Sequence, residues 1–108
     1  MPANPWLKTI TLTTLNTAYS LFTLIQAVDK SVVYTECCKL SIQLDPLAGS
    51  AKLRVGNEDI SPTNCGVVLQ AGQAQIFEMI EQNLYSLKNI YLLSDTSGVA
   101  VNITFVVH

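Results

Sequence analysis

Charged side chains are scarce in this sequence. Its 108 residues include six Lys or Arg and eight Asp or Glu, so 13% of the chain is charged, against about 25% in typical soluble domains. The basic residues are scattered singly and the net charge is −2, which excludes the basic stripe that binds a phosphate backbone. We expect no nucleic-acid partner. So little charge favours association with other chains, although a monomer with a polar Thr, Ser, Asn and Gln surface is the alternative.

Histidine is nearly absent, and the usual catalytic motifs are missing. The only histidine is His108, at the end of the sequence, where we expect no general base for a Ser-His-Asp or Cys-His site. No GxGxxG or P-loop pattern occurs. The doublet Glu58-Asp59 follows Asn57 but lacks the dense Asp, Asn and Gly spacing of a calcium loop, so we interpret it as a solvated turn. The sequence predicts neither an enzyme nor a cofactor.

The cysteines number three and include no CxxC pair. Three cysteines cannot form a complete set of intrachain disulfides, and a metal site would need further ligands. We therefore interpret Cys37, Cys38 and Cys65 as small, free thiols in a reducing compartment, and we expect no metal.

No apolar run is long enough to cross a bilayer. The longest runs are interrupted by Gln26, Asp29 or Ser94, whereas a transmembrane helix needs about 20 apolar residues. The first six residues lack the charged segment and apolar core of a signal peptide. We expect a soluble protein made in the cytoplasm, with no membrane partner.

Alternation of apolar and polar residues predicts that most of the chain is strand. The clearest strand is the last, whose inward face would carry Val99, Val101, Ile103, Phe105 and Val107. Other alternating or apolar segments lie at 7–13, 39–45, 51–55, 67–69, 74–80 and 89–93, the segments 74–80 and 89–93 being apolar on both sides. About seven to eight short strands predict an all-β fold, an antiparallel β-sandwich of jelly-roll or Ig-like topology.

Residues 19–30 change period and predict at most one short helix. The apolar positions there are Leu21, Leu24, Ile25 and Val28. They lie at i, i+3, i+4 and i+7, and Ser20 is a suitable N-cap. Strand is the alternative, because Phe22 and Leu24 also alternate.

Glycines mark the predicted turns. Gly56-Asn57 is suited to positive φ and a tight reversal after the strand at 51–55, and a second reversal is expected at residues 71–73. Residues 95–98 predict a hairpin turn, with Gly98 in the conformation that other residues avoid.

We predict that the chain consists of two regions. Pro2 and Pro5 make residues 1–7 an N-terminal arm, and residues 8–108 form a single β-sandwich domain. Trp6, at the base of the arm, is either a local core anchor or a contact with a neighbouring subunit.

A spaced set of turn and strand residues runs through roughly residues 40–107. It reads Val55-Gly56-Asn57, Ile60-Ser61 and Asn64-Cys65-Gly66-Val67-Val68-Leu69-Gln70-Ala71-Gly72, and continues in Leu87-Lys88-Asn89-Ile90-Tyr91-Leu92 and Gly98-Val99-Ala100-Val101-Asn102-Ile103. This set resembles small virion proteins of tailed bacteriophages, which often read V-G-x-x-x-(V/I)-S-x-x-N-G-x-x-L-x-x-G, then (I/L)-Y and a final V-x-V strand. Cys65 separates Asn64 from Gly66, a one-residue departure from that pattern. The first 39 residues carry none of it.

The resemblance implies a structural subunit of the virion, present in the host cytoplasm during assembly. It would bind the major capsid protein on the outside of a phage head as a decoration or cement protein, and would form a homo-oligomer, a trimer or another cyclic assembly. The alternatives are a carbohydrate-binding β-sandwich module and a neck or tail connector of the same virion. The candidate partner contacts are Pro5, Trp6, Leu47, Asn57, Glu58, Asp59 and Pro62, and for each an ordinary solvent-exposed loop is the alternative.

Overall fold

The computed structural model describes residues 5–33, 35–78 and 84–107, and within them the fold is all-β, as predicted. The strands are β1 (Trp6–Leu12), β2 (Tyr19–Ser20), β3 (Glu36–Cys37), β4 (Lys39–Leu44), β5 (Leu53–Gly56), β6 (Val67–Leu69), β7 (Ala74–Phe77), β8 (Tyr85–Ser86), β9 (Tyr91–Ser94) and β10 (Val99–Val106). A single described helix, α1 (Leu21–Val28), lies between β2 and β3. The strand pairs are antiparallel.

Eight of the ten described strands form a two-sheet sandwich. Their orders are β1-β10-β4-β7 and β2-β9-β5-β6, while β3 and β8 form a separate pair. The eight sandwich strands can be lettered B to I in chain order. The strand order is then B-I-D-G in one sheet and C-H-E-F in the other, which is the strand order of a jelly roll. The topology is therefore a jelly roll and not Ig-like. The predicted count of seven to eight strands is too low for the ten described strands, because β2, β3 and β8 have two residues each and are too short to show an alternation.

The core lies between the two sheets, and β10 runs through its middle. β10 is paired on one side with β1 and on the other with β4, and its residues alternate between buried and half-buried along its whole length. The fully buried side chains include Ile10, Leu12, Leu40, Ile42, Leu44, Leu53, Leu92, Val101 and Ile103. Each contributes roughly 1.5–3 kcal/mol by leaving water, so these inward rows hold the sheets together. The predicted central strand is confirmed.

Helix α1 closes one end of the sandwich. Leu21, Leu24 and Ile25 are buried as predicted, but Val28 is 45% exposed because it lies at the last position of the helix. Ser20 occupies the N-cap position without capping the helix; its hydroxyl donates to the Lys88 carbonyl instead. The first N–H groups of the helix, on Leu21 and the next residue, donate to the β8–β9 segment, which satisfies donors that a helix leaves free.

The positive φ predicted at Gly56-Asn57 is wrong, although a turn does follow, in which the Ile60 N–H donates to the Asn57 carbonyl at 3.0 Å. Among the described residues, positive φ occurs at Asn16, Gly49, Gly72 and Gly98, and not at either of these two positions. A Cβ at Gly56 would lie 3.3 Å from the Ile60 side chain, which would have to shift by a few tenths of an ångström to admit it. The chain reverses through a ten-residue loop, 57–66, before β6 pairs with β5.

The other two predicted chain reversals, at residues 71–73 and 95–98, are confirmed. Gly72 has φ +86° between β6 and β7, and Gly98 has φ +71° between β9 and β10. Only glycine enters this region at little cost.

Strand β7 is an edge strand, which corrects the prediction that it is apolar on both sides. It pairs with β4 alone, and Ile76 is 54% exposed. Residues 79 and 80 of that predicted segment lie outside the described residues.

The N-terminal segment enters the sheet early. Trp6 and Leu7, placed in the predicted arm of residues 1–7, already pair with Phe105 and Thr104 as the start of β1. Residues 1–4 of that arm lie outside the described residues. The described part of the chain contains no helix that is long and apolar enough to span a membrane.

The sandwich has two distinct ends, along a molecule of 41 × 23 × 22 Å. At the "Leu47 end" lie the connections at 13–18, 45–52, 70–73 and 95–98, tied together by bonds such as Lys52 N to Asp95 Oδ1 at 2.9 Å. At the "helix end" lie α1, the β3–β8 pair, the loop 57–66 and the beginning of β1. The two ends are separated by the length of β10, roughly 20 Å from Phe105 to Val99 at about 3.3 Å per residue.

Candidate interaction surface

One face of the β1-β10-β4-β7 sheet points away from the core and is almost free of charge. Its residues, called here the outer sheet face, are Leu7, Thr9, Thr11, Lys39, Ser41, Gln43, Ala74, Ile76, Ala100, Asn102, Thr104 and Val106. Lys39 is the only charged residue among them, and it lies at one corner. Uncharged faces of this kind are easier to bury against another protein than charged ones, since charges carry the largest desolvation cost.

Three polar side chains of the outer sheet face, one from each of three neighbouring strands, are hydrogen-bonded to one another. The Thr9 hydroxyl donates to Asn102 Oδ1 at 2.7 Å, and Asn102 Nδ2 donates to Gln43 Oε1 at 3.1 Å. Gln43 Nε2 then donates to the Gly72 carbonyl at 3.3 Å. This row, called here the polar ladder, fixes the rotamers of its members before any partner arrives. Ordering these side chains on binding therefore costs less entropy.

Two apolar side chains flank the polar residues. Leu7 and Ile76 lie in one row across the sheet, joined through Thr104 and Ser41. They are 63% and 54% exposed, and three strand spacings of about 4.8 Å place them roughly 14 Å apart. The face thus combines a satisfied polar centre with an apolar residue on each edge strand.

The outer sheet face is small. Four strands at about 4.8 Å and five residues at about 3.3 Å cover on the order of 300 Å². A standard specific interface buries about 800 Å² on each partner. Stable binding through this face therefore requires neighbouring loops, or several weak contacts made at once.

Trp6 lies on the core at the helix end and also borders a cavity. Its ring stacks on Phe105 with centroids 5.2 Å apart, and its indole N–H donates to Asp29 Oδ2 at 3.1 Å. The cavity measures about 260 Å³ and is lined by Pro5, Trp6, Asp29, Ser31, Val32, Phe105 and Val107. We call it the Trp6 pocket. Trp6 is therefore a local core anchor that also borders this pocket, and its contact with a neighbouring subunit stays a prediction.

Asp29 supplies a fixed negative charge to the Trp6 pocket. The Ser31 hydroxyl and backbone N–H both donate to its Oδ1, at 2.5 and 3.0 Å, while Lys8 Nζ lies 3.6 Å from its Oδ2. The pKa of this carboxyl is held well below its usual range, chiefly by the Ser31 hydroxyl and then by the Trp6 N–H. The carboxylate stays ionised at neutral pH.

The loop 57–66 is held in place by its own side chains. Asn57 Nδ2 donates to the Asn89 carbonyl at 3.0 Å, and Asn64 Nδ2 donates to both the carbonyl and the carboxylate of Asp59 at 3.1 Å. Ile60 is buried and anchors the loop. Glu58 and Pro62 are exposed, which leaves them the freest of the predicted contacts in this loop.

Leu47 lies apart from the other predicted contacts. It is 94% exposed in the β4–β5 connection at the Leu47 end. Its N–H donates to Asp45 Oδ1 at 2.8 Å, and the Ala48 N–H donates to the Asp45 carbonyl at 2.9 Å. These bonds fix the turn that carries it.

The seven predicted contacts therefore fall in three places. Pro5 and Trp6 border one pocket, and Leu47 is at the opposite end. The other four, Asn57, Glu58, Asp59 and Pro62, share one loop. The outer sheet face was not among the predicted contacts, although the polar positions of 7–13, 39–45 and 99–107 were the signal for it.

The three cysteines are free, as predicted. Cys37 is buried, and Cys38 and Cys65 are half-buried. Burial, with a smaller contribution from Cys38, raises the pKa of the Cys37 thiol to about 11, so that it stays protonated at neutral pH. Over residues 5–33, 35–78 and 84–107, no three His, Cys, Asp or Glu side chains are grouped to hold a metal ion.

Comparisons with known proteins give little beyond this geometry. No family model matches the chain, and no curated protein matches it. Among solved structures, it is similar to the cryo-EM structure of the giant freshwater prawn Macrobrachium rosenbergii extra small virus (XSV) VLP. The TM-score is 0.48 and the identity 14%, over 99% of this chain and 79% of that chain. These values are too low to assign a family or a function.

Proposed function

We propose that this chain is a structural protein of a virus particle, without catalytic activity, that attaches to the outside of a head built from a major capsid protein. It would act there as a decoration or cement subunit. The observation that carries the proposal is the outer sheet face, which is uncharged apart from Lys39 and is internally hydrogen-bonded through Thr9, Asn102 and Gln43. Such a surface suits burial against a protein.

The fold supports this proposal by analogy only. Jelly rolls occur in viral capsid proteins and also in lectins, and a fold does not by itself define a function. Sugar-binding sites commonly offer an open aromatic face for stacking. The outer sheet face carries no aromatic residue, and the Trp6 ring is stacked on Phe105, with Lys8 Nζ 5.9 Å from its centroid. These contacts favour a protein partner over a glycan.

The small area of the outer sheet face also fits a decorated shell. About 300 Å² is well below the roughly 800 Å² that one stable interface needs on each side. A symmetric shell offers several copies of the same partner surface, and simultaneous weak contacts gain strength through effective concentration. Each contact of a subunit on a shell can therefore contribute less binding free energy than the single contact of a soluble binary complex must.

Co-sedimentation with particles tests the proposal. Virus particles would be purified from lysates of the cells that produce the chain, stripped of loosely attached subunits with salt, and incubated with the purified chain before a density gradient. We expect the chain to sediment with the particles. Its absence from particles before and after re-addition would contradict the proposal, and retention on a glycan array would then favour the lectin alternative. Closed shells formed by the chain alone would instead show a shell-building protein.

Two matched variants test whether the outer sheet face is the binding surface. Ile76→Lys places a charge on the edge strand β7, and Val68→Lys does so on the edge strand β6 of the other sheet. The two residues are similarly exposed, at 54% and 45%, so both variants should fold. We expect Ile76→Lys to lose particle binding and Val68→Lys to retain it. Equal binding by both would show that this face is not used.

A further inference from the structure

Strand β1 has one edge that no described strand covers. It pairs with β10 alone and therefore ends the β1-β10-β4-β7 sheet. With seven residues it is the longest edge strand of the sandwich, since β7 has four, β6 three and β2 two. Its register with β10 is continuous, without a bulge, and it contains no proline. A long and regular edge of this kind is a template for a further strand.

The bonds of β10 show which backbone groups of β1 lie on the uncovered edge. The Asp45 N–H donates to the Ala100 carbonyl at 3.2 Å, so the even-numbered residues of β10 direct their backbone groups toward β4. The odd-numbered residues direct theirs toward β1, because successive residues of a strand alternate. Through the register, the even-numbered residues of β1 then face β10, in agreement with the bond from the Gly98 N–H to the Leu12 carbonyl. The odd-numbered residues of β1 face the uncovered edge, and they are Leu7, Thr9 and Thr11.

These three residues are open to a partner. Leu7 is 63% exposed, and Thr9 and Thr11 are exposed as well. The hydrogen bonds between described residues include none to their backbone N–H or C=O groups. Their side chains belong to the outer sheet face, so a strand added at this edge also extends that face.

The spacing of these groups matches a second copy of β1. A two-fold axis through Thr9 sets Thr9 opposite Thr9 of the second copy, and Leu7 opposite Thr11 on either side. All seven residues of β1 then face a residue of the other strand, and three pairs with two hydrogen bonds each give six bonds. An axis through Lys8 or Ile10 brings only about five residues into register and gives about four bonds. The edge is therefore best matched by its own copy, centred on Thr9.

Charge favours the same register. Lys8 is the only charged residue of β1, and like charges directly opposite each other destabilise a strand pair. An axis through Lys8 would create that repulsion. An axis through Thr9 instead sets Lys8 opposite Ile10 of the second copy, and each ammonium keeps its own Asp29 carboxylate, 3.6 Å away.

We propose that two copies of this chain pair antiparallel through β1, centred on Thr9, so that their four-stranded sheets join into one sheet of eight strands. Strand addition of this kind is a recurrent mode of protein recognition, and a two-fold pair is closed. The joined edge is about 23 Å long and about 10 Å thick, or roughly 230 Å² on each copy. Because a standard interface covers about 800 Å² on each partner, we expect a weak dimer with a Kd of roughly 0.01–1 mM. The dimer forms from the purified chain alone and needs no capsid partner.

Amide hydrogen exchange, followed by NMR from about 20 μM to about 1 mM, tests which backbone groups become covered. The N–H groups of Leu7, Thr9 and Thr11 should exchange more slowly as the concentration rises. Those of Lys8 and Ile10, which are bonded to β10, should be protected throughout. Sedimentation over the same range should show monomer and dimer. A chain that is monomeric at about 1 mM, or exchange at the three outward amides that does not depend on concentration, would overturn the proposal.

The substitution Thr11→Pro removes one outward N–H group from each copy. Proline is tolerated where the N–H of an edge strand faces solvent, so this variant should fold. Two of the six bonds are lost, which should weaken association roughly 5- to 150-fold. Thr11→Val keeps the N–H and is the matched control, whose Kd should equal that of the wild type. The same Kd for both variants, each shown to be folded by thermal melting, would contradict pairing through this edge.

Charge variants at Thr9 test the register and do not depend on proline. Thr9→Lys sets two ammonium groups opposite each other and Thr9→Glu two carboxylates, so each variant alone should dimerise more weakly than the wild type. In an equal mixture they should form mixed dimers roughly 2- to 30-fold tighter than either alone. The same two substitutions at Thr11, which faces Leu7, are the control and should show no such preference. Preferential mixing at Thr11, or at neither position, would refute the pairing centred on Thr9.

Discussion

The polar ladder can be tested by removing one hydroxyl group. Thr9→Val keeps the shape of the side chain but deletes the donor that contacts Asn102 Oδ1 at 2.7 Å. A net hydrogen bond contributes about 0.5–1.5 kcal/mol to stability. Asn102 is half-buried, so water replaces part of the lost bond and we expect a loss near 1 kcal/mol. In a domain of about 100 residues this lowers Tm by roughly 4 °C.

The same substitution two residues along the strand is the control. Thr11 lies on the same face of β1, opposite Ala100, and the hydrogen bonds found in the described residues include none from its hydroxyl to a side chain. Thr11→Val should therefore change stability by no more than about 0.5 kcal/mol in either direction. Valine favours strands at least as well as threonine does, so the difference between the two variants isolates the hydrogen bond.

Urea unfolding followed by circular dichroism provides the measurement, with both variants and the wild type analysed at a common slope. A double-mutant cycle with Asn102→Ala should show a coupling of about 0.5–1 kcal/mol between the two positions. If Thr9→Val and Thr11→Val unfold at the same urea concentration, the ladder does not stabilise the sheet. The outer sheet face would then not be preorganised for binding by these hydrogen bonds.

The remaining predictions concern the core, the pocket and one turn. Ile103→Ala should cost about 2–5 kcal/mol by leaving a cavity in the middle of the core, whereas Thr104→Ala, on the outer face, should cost under about 1 kcal/mol; equal urea midpoints would refute the assigned faces of β10. The folded-state pKa of Asp29 is lowered, so its contribution is complete above the unfolded pKa of about 3.9 and is lost as pH falls below it. Asp29→Asn should therefore unfold at a lower urea concentration than wild type at pH 7, and the gap between the two midpoints should shrink toward pH 2. A gap that is constant with pH would contradict this. Gly98→Ala should cost about 1–2 kcal/mol from backbone strain at φ +71°, since nothing lies within 4 Å of the added Cβ, and an unchanged Tm would refute the strain.

The sequence by itself determined the longer strands and most of the side chains that point inward. Alternation with a period of two residues is a local property, so the buried faces of β4, β5 and β10 could be predicted correctly from Leu40, Leu53, Val101 and their neighbours. The helix at 21–28 was visible for the same reason, because its period of 3.6 residues is also local. The turn at Gly98 required only the conformational freedom of glycine.

Local patterns could not show which positions lie at an edge. Val28 and Ile76 are as apolar as the core residues, but one ends α1 and the other lies on an edge strand, and both are exposed. Gly56 indicated a positive-φ turn, but its φ is not positive, and it packs closely against Ile60. In each of these cases, the exposure or packing of the residue depends on which other residues the fold brings near it, and the local sequence does not specify them.

The candidate site, too, was determined in part by the sequence and in part by the tertiary structure. The sequence showed that Thr9, Gln43 and Asn102 point away from the core, but only the tertiary structure decided that they form one row. Thr9 and Asn102 are 93 positions apart in the chain, and the pairing of β1 with β10 depends on how the whole sandwich closes. Side-chain direction is set by the backbone of each strand, whereas the order of strands is set by burying both inward faces at once.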